Sequence, residues 1–302
     1  MIELLVNQRA RRVQRQPAFL DQLADRFGAR LRIQRTAGLS DARRAIDRLP
    51  DDCRLIAVCG GDGTISQTIT MLADRFAARM PTILVVPGGT MNTIAKNVVG
   101  RPSSEEQIRR ALELLAADRP LGIRDVPTIR ANGRLCFMTG AALAARFLEV
   151  YYERKAGWSA AAALAVELPL AAAFQLPLAR RIFEPTRARI TVDERQIACE
   201  RFALIIAATI PDVGLGMKVT YRGGRRSDCF HFVGSGLAAR QLASQMLRGF
   251  RGKPIAGDHH FDMLARGVRI QFEEQEAYMV DGDLLRSDRL DLALGPVARF
   301  FV

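Results

Sequence analysis

From Ile2 to Leu121 the chain alternates between short apolar runs and stretches with helical spacing. Ile2–Val6 and Leu31–Arg35 read as strands, and Leu55-Ile56-Ala57-Val58-Cys59 and Thr82–Val86 as buried ones. A wholly apolar run of that length suits a parallel strand covered on both faces. Between them Pro17–Phe27 and Ser40–Leu49 predict helices, with Ser40 as an N-cap. Ile65, Ile69, Leu72 and Phe76 recur at helical spacing, and Ser103 with Glu106 has the spacing of a capping box. Strand-helix alternation of this kind predicts a parallel α/β domain.

The pattern changes near Asp125. Two apolar runs, 128–131 and 135–138, flank Asn132-Gly133, a pair that tolerates positive φ and predicts a hairpin. A helical interval over about 142–178 follows. Short strands are then expected at Arg187–Val192, Phe202–Ala208, Met217–Tyr221, Cys229–Val233, Val268–Phe272 and Ala277–Val280. This half reads as an antiparallel β-sandwich, with the domain boundary near residue 124.

Composition narrows the classes. Of 302 residues 49% are hydrophobic and 25% charged, which excludes disorder on a large scale. The excess of 44 Lys+Arg over 32 Asp+Glu admits nucleic acid, an anionic membrane surface or phosphate-rich ligands as partners. Arg far outnumbers Lys, so part of the charge can be compositional. No aromatic-interleaved basic platform is visible, so nucleic acid is not expected. The five cysteines form no C-x-x-C pair and the three histidines lie apart from any, so neither a disulfide framework nor a zinc site is expected, and a reducing compartment is. The N-terminus opens on a strand rather than a signal peptide, so a cytoplasmic location is expected.

Two strand-to-helix junctions carry the candidate chemistry. Gly60-Gly61-Asp62-Gly63-Thr64 follows one buried strand, and Pro87-Gly88-Gly89-Thr90-Met91-Asn92 follows the next. Glycines let the backbone turn sharply and approach a ligand, and the free amides of a helix start favour phosphate. Ligands of open α/β sheets sit at the carboxyl ends of such strands. A carboxylate among phosphate-binding groups, Asp62, can hold Mg²⁺.

With these two segments the chain resembles the diacylglycerol kinase catalytic family, which includes bacterial lipid kinases, sphingosine kinases and ceramide kinases. NAD kinases and phosphofructokinases share the first motif; Pro87, Gly89, Thr90 and Asn92 match the lipid-kinase form of the second. Gly214-Leu215-Gly216-Met217 looks like the family's second-domain glycine turn, and Asp281-Gly282-Asp283 resembles its late Asp-Gly-Glu motif. The resemblance implies a nucleotide-binding α/β domain over 1–124, to which 287–302 returns, and a β-sandwich lipid-substrate domain over 125–286. It implies ATP and Mg²⁺ as cofactors. Asn7, Thr36, Gly60, Gly61, Gly63, Thr64, Gly88, Gly89, Thr90 and Asn92 would contact ATP. Asp62 and Asp283 would hold the metal. Asp281 and Asp283 would face the nucleotide across an interdomain cleft, Asp281 serving as the base for the acceptor hydroxyl, although the roles of the three acids can be exchanged.

Several residues depart from the family pattern. Asn7-Gln8-Arg9-Ala10-Arg11 replaces a run that normally carries a phosphate-cradling glycine. Arg9, Arg11, Arg12 or Arg15 either replace its amides with side-chain charge or form a solvated loop. Gln67 stands where a glutamate is common and Thr93 where an aspartate is, and Asp283 is one methylene shorter than the family's glutamate. Gly140–Ala144 lacks an aspartate often found there.

The apolar stretch from Ala156 to Ala179 contains Glu167, Pro169, Gln175 and Pro177, and does not read as a membrane span. It is either a helical pair packed on the sandwich or a lipid-facing wall, with Trp158, Leu164, Leu168, Leu170, Phe174 and Leu176 beside Arg180 and Arg181. The expectation is an ATP-dependent kinase of a membrane lipid, diacylglycerol or a ceramide or sphingoid lipid, peripheral at the inner face of the membrane. A kinase of a soluble acceptor such as NAD, and an inactive lipid- or nucleotide-binding relative, are the alternatives. A homodimer is left open.

Overall fold

A computed structural model describes residues 1–100, 103–154 and 157–302. Ala156 and the side chain of Trp158, both assigned above to the apolar stretch, lie outside the described residues. The chain divides into two units, one of residues 1–126 with 296–302 and one of residues 127–295.

In unit 1 the elements run β1 (Ile2–Asn7), α1 (Arg11–Arg15), α2 (Ala18–Phe27), β2 (Leu31–Thr36), α3 (Leu39–Asp47), β3 (Leu55–Gly60), α4 (Asp62–Phe76), β4 (Thr82–Pro87), α5 (Thr93–Val98) and α6 (Ser104–Ala116). The strands pair in parallel in the order β2–β1–β3–β4. All six residues of β3 are buried, as a strand covered on both faces requires. Phe19, Leu20, Leu23 and Phe27 of α2 join Ile108, Ala111 and Leu112 of α6 in one core with the strands. Each fully buried side chain of this kind contributes about 1.5–3 kcal/mol. Because the strands are parallel and in register, their carboxyl ends, Asn7 beside Thr36 and Gly60 beside Pro87, lie along one edge of the sheet.

Two expected caps differ. Helix α3 starts at Leu39 with Gly38 as its N-cap, not Ser40; the Asp41 carboxylate accepts the Ala37 amide just ahead of it. Ser103 is the N-cap of α6, but its side chain makes no capping hydrogen bond.

Unit 2 is antiparallel and β-rich. Its strands are β5 (Ile123–Ala131, beginning in unit 1), β6 (Arg134–Cys136), β7 (Met138–Ala142), β8 (Thr186–Val192), β9 (Arg195–Gln196), β10 (Arg201–Phe202), β11 (Leu204–Ala208), β12 (Phe230–Ser235), β13 (His260–Ala265), β14 (Gly267–Val280) and β15 (Asp283–Phe301, which ends in unit 1 beside β4). The β5–β6 hairpin turns at Asn132-Gly133, with φ of 45° and 88°. Strands β13–β12–β11–β7–β14 are neighbours. The two runs expected at Val268–Phe272 and Ala277–Val280 are one strand, β14, whose register shifts between Gln271 and Glu276. Its first part pairs with β8 and its last part with β7, so a single strand serves two sets of partners. Phe202, Phe230, Phe232, Ile190 and Ile270 fill the core that results.

Met217–Tyr221 is not a strand. Gly214, Leu215 and Gly216 all have positive φ, and the Asp212 carboxylate accepts the amides of Gly214 and Gly216. That coil diverts the backbone away from any ladder. The helical interval consists of α7 (Leu143–Glu153), α8 (Trp158–Ala173) and α9 (Pro177–Ile182), with α10 (Ala239–Ser244) and α11 (Met246–Phe250) added later in the chain. Among the described residues no helix is long and apolar enough to cross a membrane.

Candidate functional site

The two glycine junctions of unit 1 meet backbone to backbone. The Gly88 amide donates to the Gly60 carbonyl at 2.9 Å. A Cβ on Gly89 would lie 2.5 Å from the Gly61 Cα, and one on Gly60 would lie 2.5 Å from the Thr64 side chain. Nothing larger than glycine fits, because in the first case the obstacle is main chain. Helix α4 starts inside this contact. Its first i→i−4 hydrogen bond is Ile65 to Gly61, so the amides of Asp62, Gly63 and Thr64 precede the ladder. Over 15 residues its dipole adds to the pull of those amides on an anion.

Side chains hold the second junction open. Asn92 sits in the left-handed region at φ 48°, accepts the Gly89 amide at 2.8 Å and donates back to the Gly89 carbonyl at 2.9 Å. Thr90 is half-buried beside it and accepts from the Arg11 guanidinium at 3.3 Å. Asn7, at the end of β1, donates to the Thr64 hydroxyl at 2.8 Å while its carbonyl accepts the Arg9 amide at 2.9 Å. Asn7, Gly60, Gly61, Thr64, Gly88, Gly89, Thr90 and Asn92 are thus brought together, with Gly63 in the first turn of α4. Thr36 is adjacent but buried, and its hydroxyl donates to the Val6 carbonyl at 3.1 Å. It braces the edge rather than offering a free group. Cys59 lies beneath the first junction, its thiol pushed up to about 11 by burial, so thiolate chemistry is excluded there.

Asp62, expected at the metal, has main-chain partners of its own. Its two oxygens accept the amides of Thr93 at 2.9 Å and Ile94 at 2.8 Å, and the residue is 9% exposed. The carboxylate therefore caps α5 and ties the second junction to the first. Burial raises its pKa above the ordinary carboxylate range, against the lowering effect of the Ile94 and Thr93 amides and of Lys96.

The late acidic motif lies in unit 2 as the two-residue turn from β14 to β15. Asp281 has φ 43° and Gly282 φ 91°, with Val280 opposite Asp283. The base role expected of Asp281 meets a carboxylate that is 1% exposed and accepts the amides of Phe137 at 3.0 Å and Met138 at 2.9 Å. Asp283, expected at the metal, is ion-paired with Arg134. Asp62 and Asp281 thus each accept two main-chain amides and Asp283 pairs with Arg134, so all three acids already have protein partners. Among the described residues no three metal-ligating side chains converge.

Arg11 and Arg12 were not separable in the sequence. Arg11 reaches Thr90, whereas Arg12 stacks on the Phe19 ring at 3.7 Å and donates to the Pro87 carbonyl and the Ser104 hydroxyl, both at 3.4 Å. Arg11 thus meets a side-chain hydroxyl of the second junction, and Arg12 its first main-chain carbonyl. In unit 2 the pair of buried His231 Nε2 and half-buried Asp262 at 2.7 Å was also missed. Its one signal is a histidine inside the apolar strand Phe230-His231-Phe232-Val233.

Comparisons with known proteins place the sequence and the fold. Residues 2–123 match the family model of the diacylglycerol kinase catalytic domain. The "Probable lipid kinase YegS-like" of Enterobacter sp. (strain 638) is 30% identical over 118 residues, which is 38% of this chain and 36% of that protein. The match thus spans about a third of the relative's length. A diacylglycerol kinase from Bacillus anthracis str. Sterne superposes with a TM-score of 0.65 at 17% identity, over 99% of this chain and 96% of that one. Yeast NADH kinase complexed with NADH gives 0.52 at 12% identity, over 100% and 83%. The last two likenesses speak to fold alone.

Proposed function

We propose, from the premise that residues 2–123 form a diacylglycerol kinase catalytic domain, that this chain transfers the γ-phosphoryl group of ATP to the hydroxyl of a membrane lipid. The observation that carries the reading is the glycine junction pair at the carboxyl edge of a parallel sheet, where Gly89 and Gly61 approach too closely for any side chain. There the amides that open α4 hold phosphate oxygens, Asn7 orients the Thr64 hydroxyl, and Asn92 keeps the Gly89 turn in place. Arg11 adds a positive charge beside Thr90, in the loop where the family's cradling glycine is missing. Phosphoryl transfer needs positioning and charge neutralisation more than covalent help, and this arrangement supplies both. The acceptor oxygen attacks the γ-phosphorus, the bond to the β–γ bridging oxygen breaks, ADP leaves, and the hydroxyl proton is released. Mg²⁺ bound with the nucleotide would neutralise charge on the phosphates.

Diacylglycerol is the default acceptor, with ceramide or another sphingoid lipid as competitor. The pattern Pro87-x-Gly89-Thr90-x-Asn92 and the family match favour a lipid over NAD. The test uses labelled ATP, Mg²⁺ and detergent micelles carrying diacylglycerol, ceramide, sphingosine or monoacylglycerol, with NAD in a parallel tube. Label in one lipid is the expected result. Label in NAD alone, or in no acceptor, overturns the reading.

A further inference from the structure

Helix α8 is apolar on both of its faces. Leu164 and Leu168 point inward and are buried, yet Val166 is 70%, Leu170 59% and Phe174 73% exposed. These three lie four residues apart, so they form one stripe on the outward side, and exposed Leu176 extends it. A surface helix normally carries polar residues there. The 16 residues of α8, interrupted by Pro169, are too few to span a bilayer, which takes about 20.

Two of its neighbours, α9 and α10, carry arginines and no acid, whereas α7 carries Arg146 with Glu149 and Glu153. Helix α8 contacts α7, α9 and α10, and α10 contacts α11. Arg180 of α9, Arg240 of α10, and Arg248, Arg251 and Lys253 in and after α11 are all exposed, as is Arg181, which is ion-paired with Glu153 of α7. Residues 238–256 contain no acid, and 158–182 contain only Glu167, which is paired with Arg154. Arg180 and Arg181 also line an open groove of about 570 Å³, with Ala172 and Phe183 on its walls, Glu184 as its one acid and Ala239 of α10 at its side.

We infer that the α8–α11 face of unit 2 docks in the plane of an anionic phospholipid bilayer. The aliphatic and phenyl stripe of α8 enters the acyl boundary, and the arginines and Lys253 meet the head-group phosphates. A second copy of the chain is disfavoured as the occupant, since a two-fold interface would bring two basic rims together. The inference deepens the proposed lipid-kinase reading and rests on it for the reason the chain meets a bilayer.

The test is flotation with phosphatidylcholine vesicles, with and without phosphatidylglycerol, at rising salt. The wild type should float only with the anionic vesicles, and less so as salt rises. A Leu170→Gln/Phe174→Gln double variant should lose roughly tenfold or more in partition. An Arg248→Glu/Arg251→Glu variant should lose roughly thirtyfold. Leu39→Gln, at an exposed leucine of unit 1, should float like the wild type. Circular dichroism checks that each variant is folded. Wild-type protein that floats with neither vesicle overturns the inference, as does equal flotation of the Leu170→Gln/Phe174→Gln variant. A dimer that this variant abolishes, without flotation of the wild type, gives the face to a second copy and also overturns it. Flotation needs no turnover, so the two proposals fail separately. Flotation without transfer to any lipid sinks the kinase reading alone. Transfer to a dispersed short-chain lipid without flotation sinks the docking face alone.

Discussion

Asp62 in unit 1 and Asp281 in unit 2 both use a buried carboxylate to collect two successive main-chain amides, those of Thr93 and Ile94 in one case and of Phe137 and Met138 in the other. Their surroundings differ. Asp62 opens a 15-residue helix beside glycines whose backbones touch, so fixing it also fixes the amides that open that helix. Asp281 sits in a tight turn between long antiparallel strands, where the groups it fixes belong to the sheet. One lock shapes the proposed phosphate cradle and the other a fold. An acid in a recognisable motif therefore does not declare its role; the amides around it do.

The comparison can be broken in several ways. The largest effect is expected from Gly89→Ala, whose Cβ would lie 2.5 Å from the Gly61 Cα. Separating the junctions by a fraction of an ångström should cut phosphoryl transfer by roughly 100-fold while circular dichroism stays native. Next come D62N and D281N. Each places an amide NH₂ against a main-chain N–H and should lower unfolding free energy by about 1–3 kcal/mol in denaturant titration. They should part in function: D62N also weakens ATP binding, whereas D281N leaves it unchanged. Equal ATP binding by both would remove the distinction between the two locks. Arg11→Ala should weaken ATP binding roughly tenfold and leave adenosine binding alone, as loss of one charge-assisted contact predicts. Unaltered ATP affinity would return Arg11 to the solvated loop.

The smallest effect is in pH. Burial leaves the folded Asp62 carboxyl with a raised pKa, so the folded state keeps a proton that the unfolded chain has already released. Stability from this group is therefore greatest at low pH and falls as pH rises from the ordinary carboxylate value through the raised one. The stability difference between wild type and D62N should shrink over that window; a difference that grows would contradict the assignment.

Much of unit 1 was legible because its signals are local. Apolar runs, helical spacing and glycines at strand ends sit within a few residues of what they specify, and Ile65, Ile69, Leu72 and Phe76 are buried as their spacing implies. The Asp281 contacts were not legible, since their partners lie about 144 residues away in the chain. Met217–Tyr221 misled because alternation of apolar and polar residues does not show that the preceding glycines coil the backbone. Helix α8 hid its exposed stripe because a segment apolar all round gives no sign of which side is covered. Arg11 and Arg12 are neighbours of one type, and only the Phe19 ring and the Thr90 hydroxyl separate their roles.

The most direct test of the central claim is a binding ladder of ATP, ADP, AMP and adenosine on wild type and Gly89→Ala. If the glycine junctions hold the phosphates, wild-type affinity rises with each added phosphate, and Gly89→Ala flattens the ladder to the adenosine value. A wild-type ladder that is already flat, or a Gly89→Ala ladder as steep as that of the wild type, would contradict it.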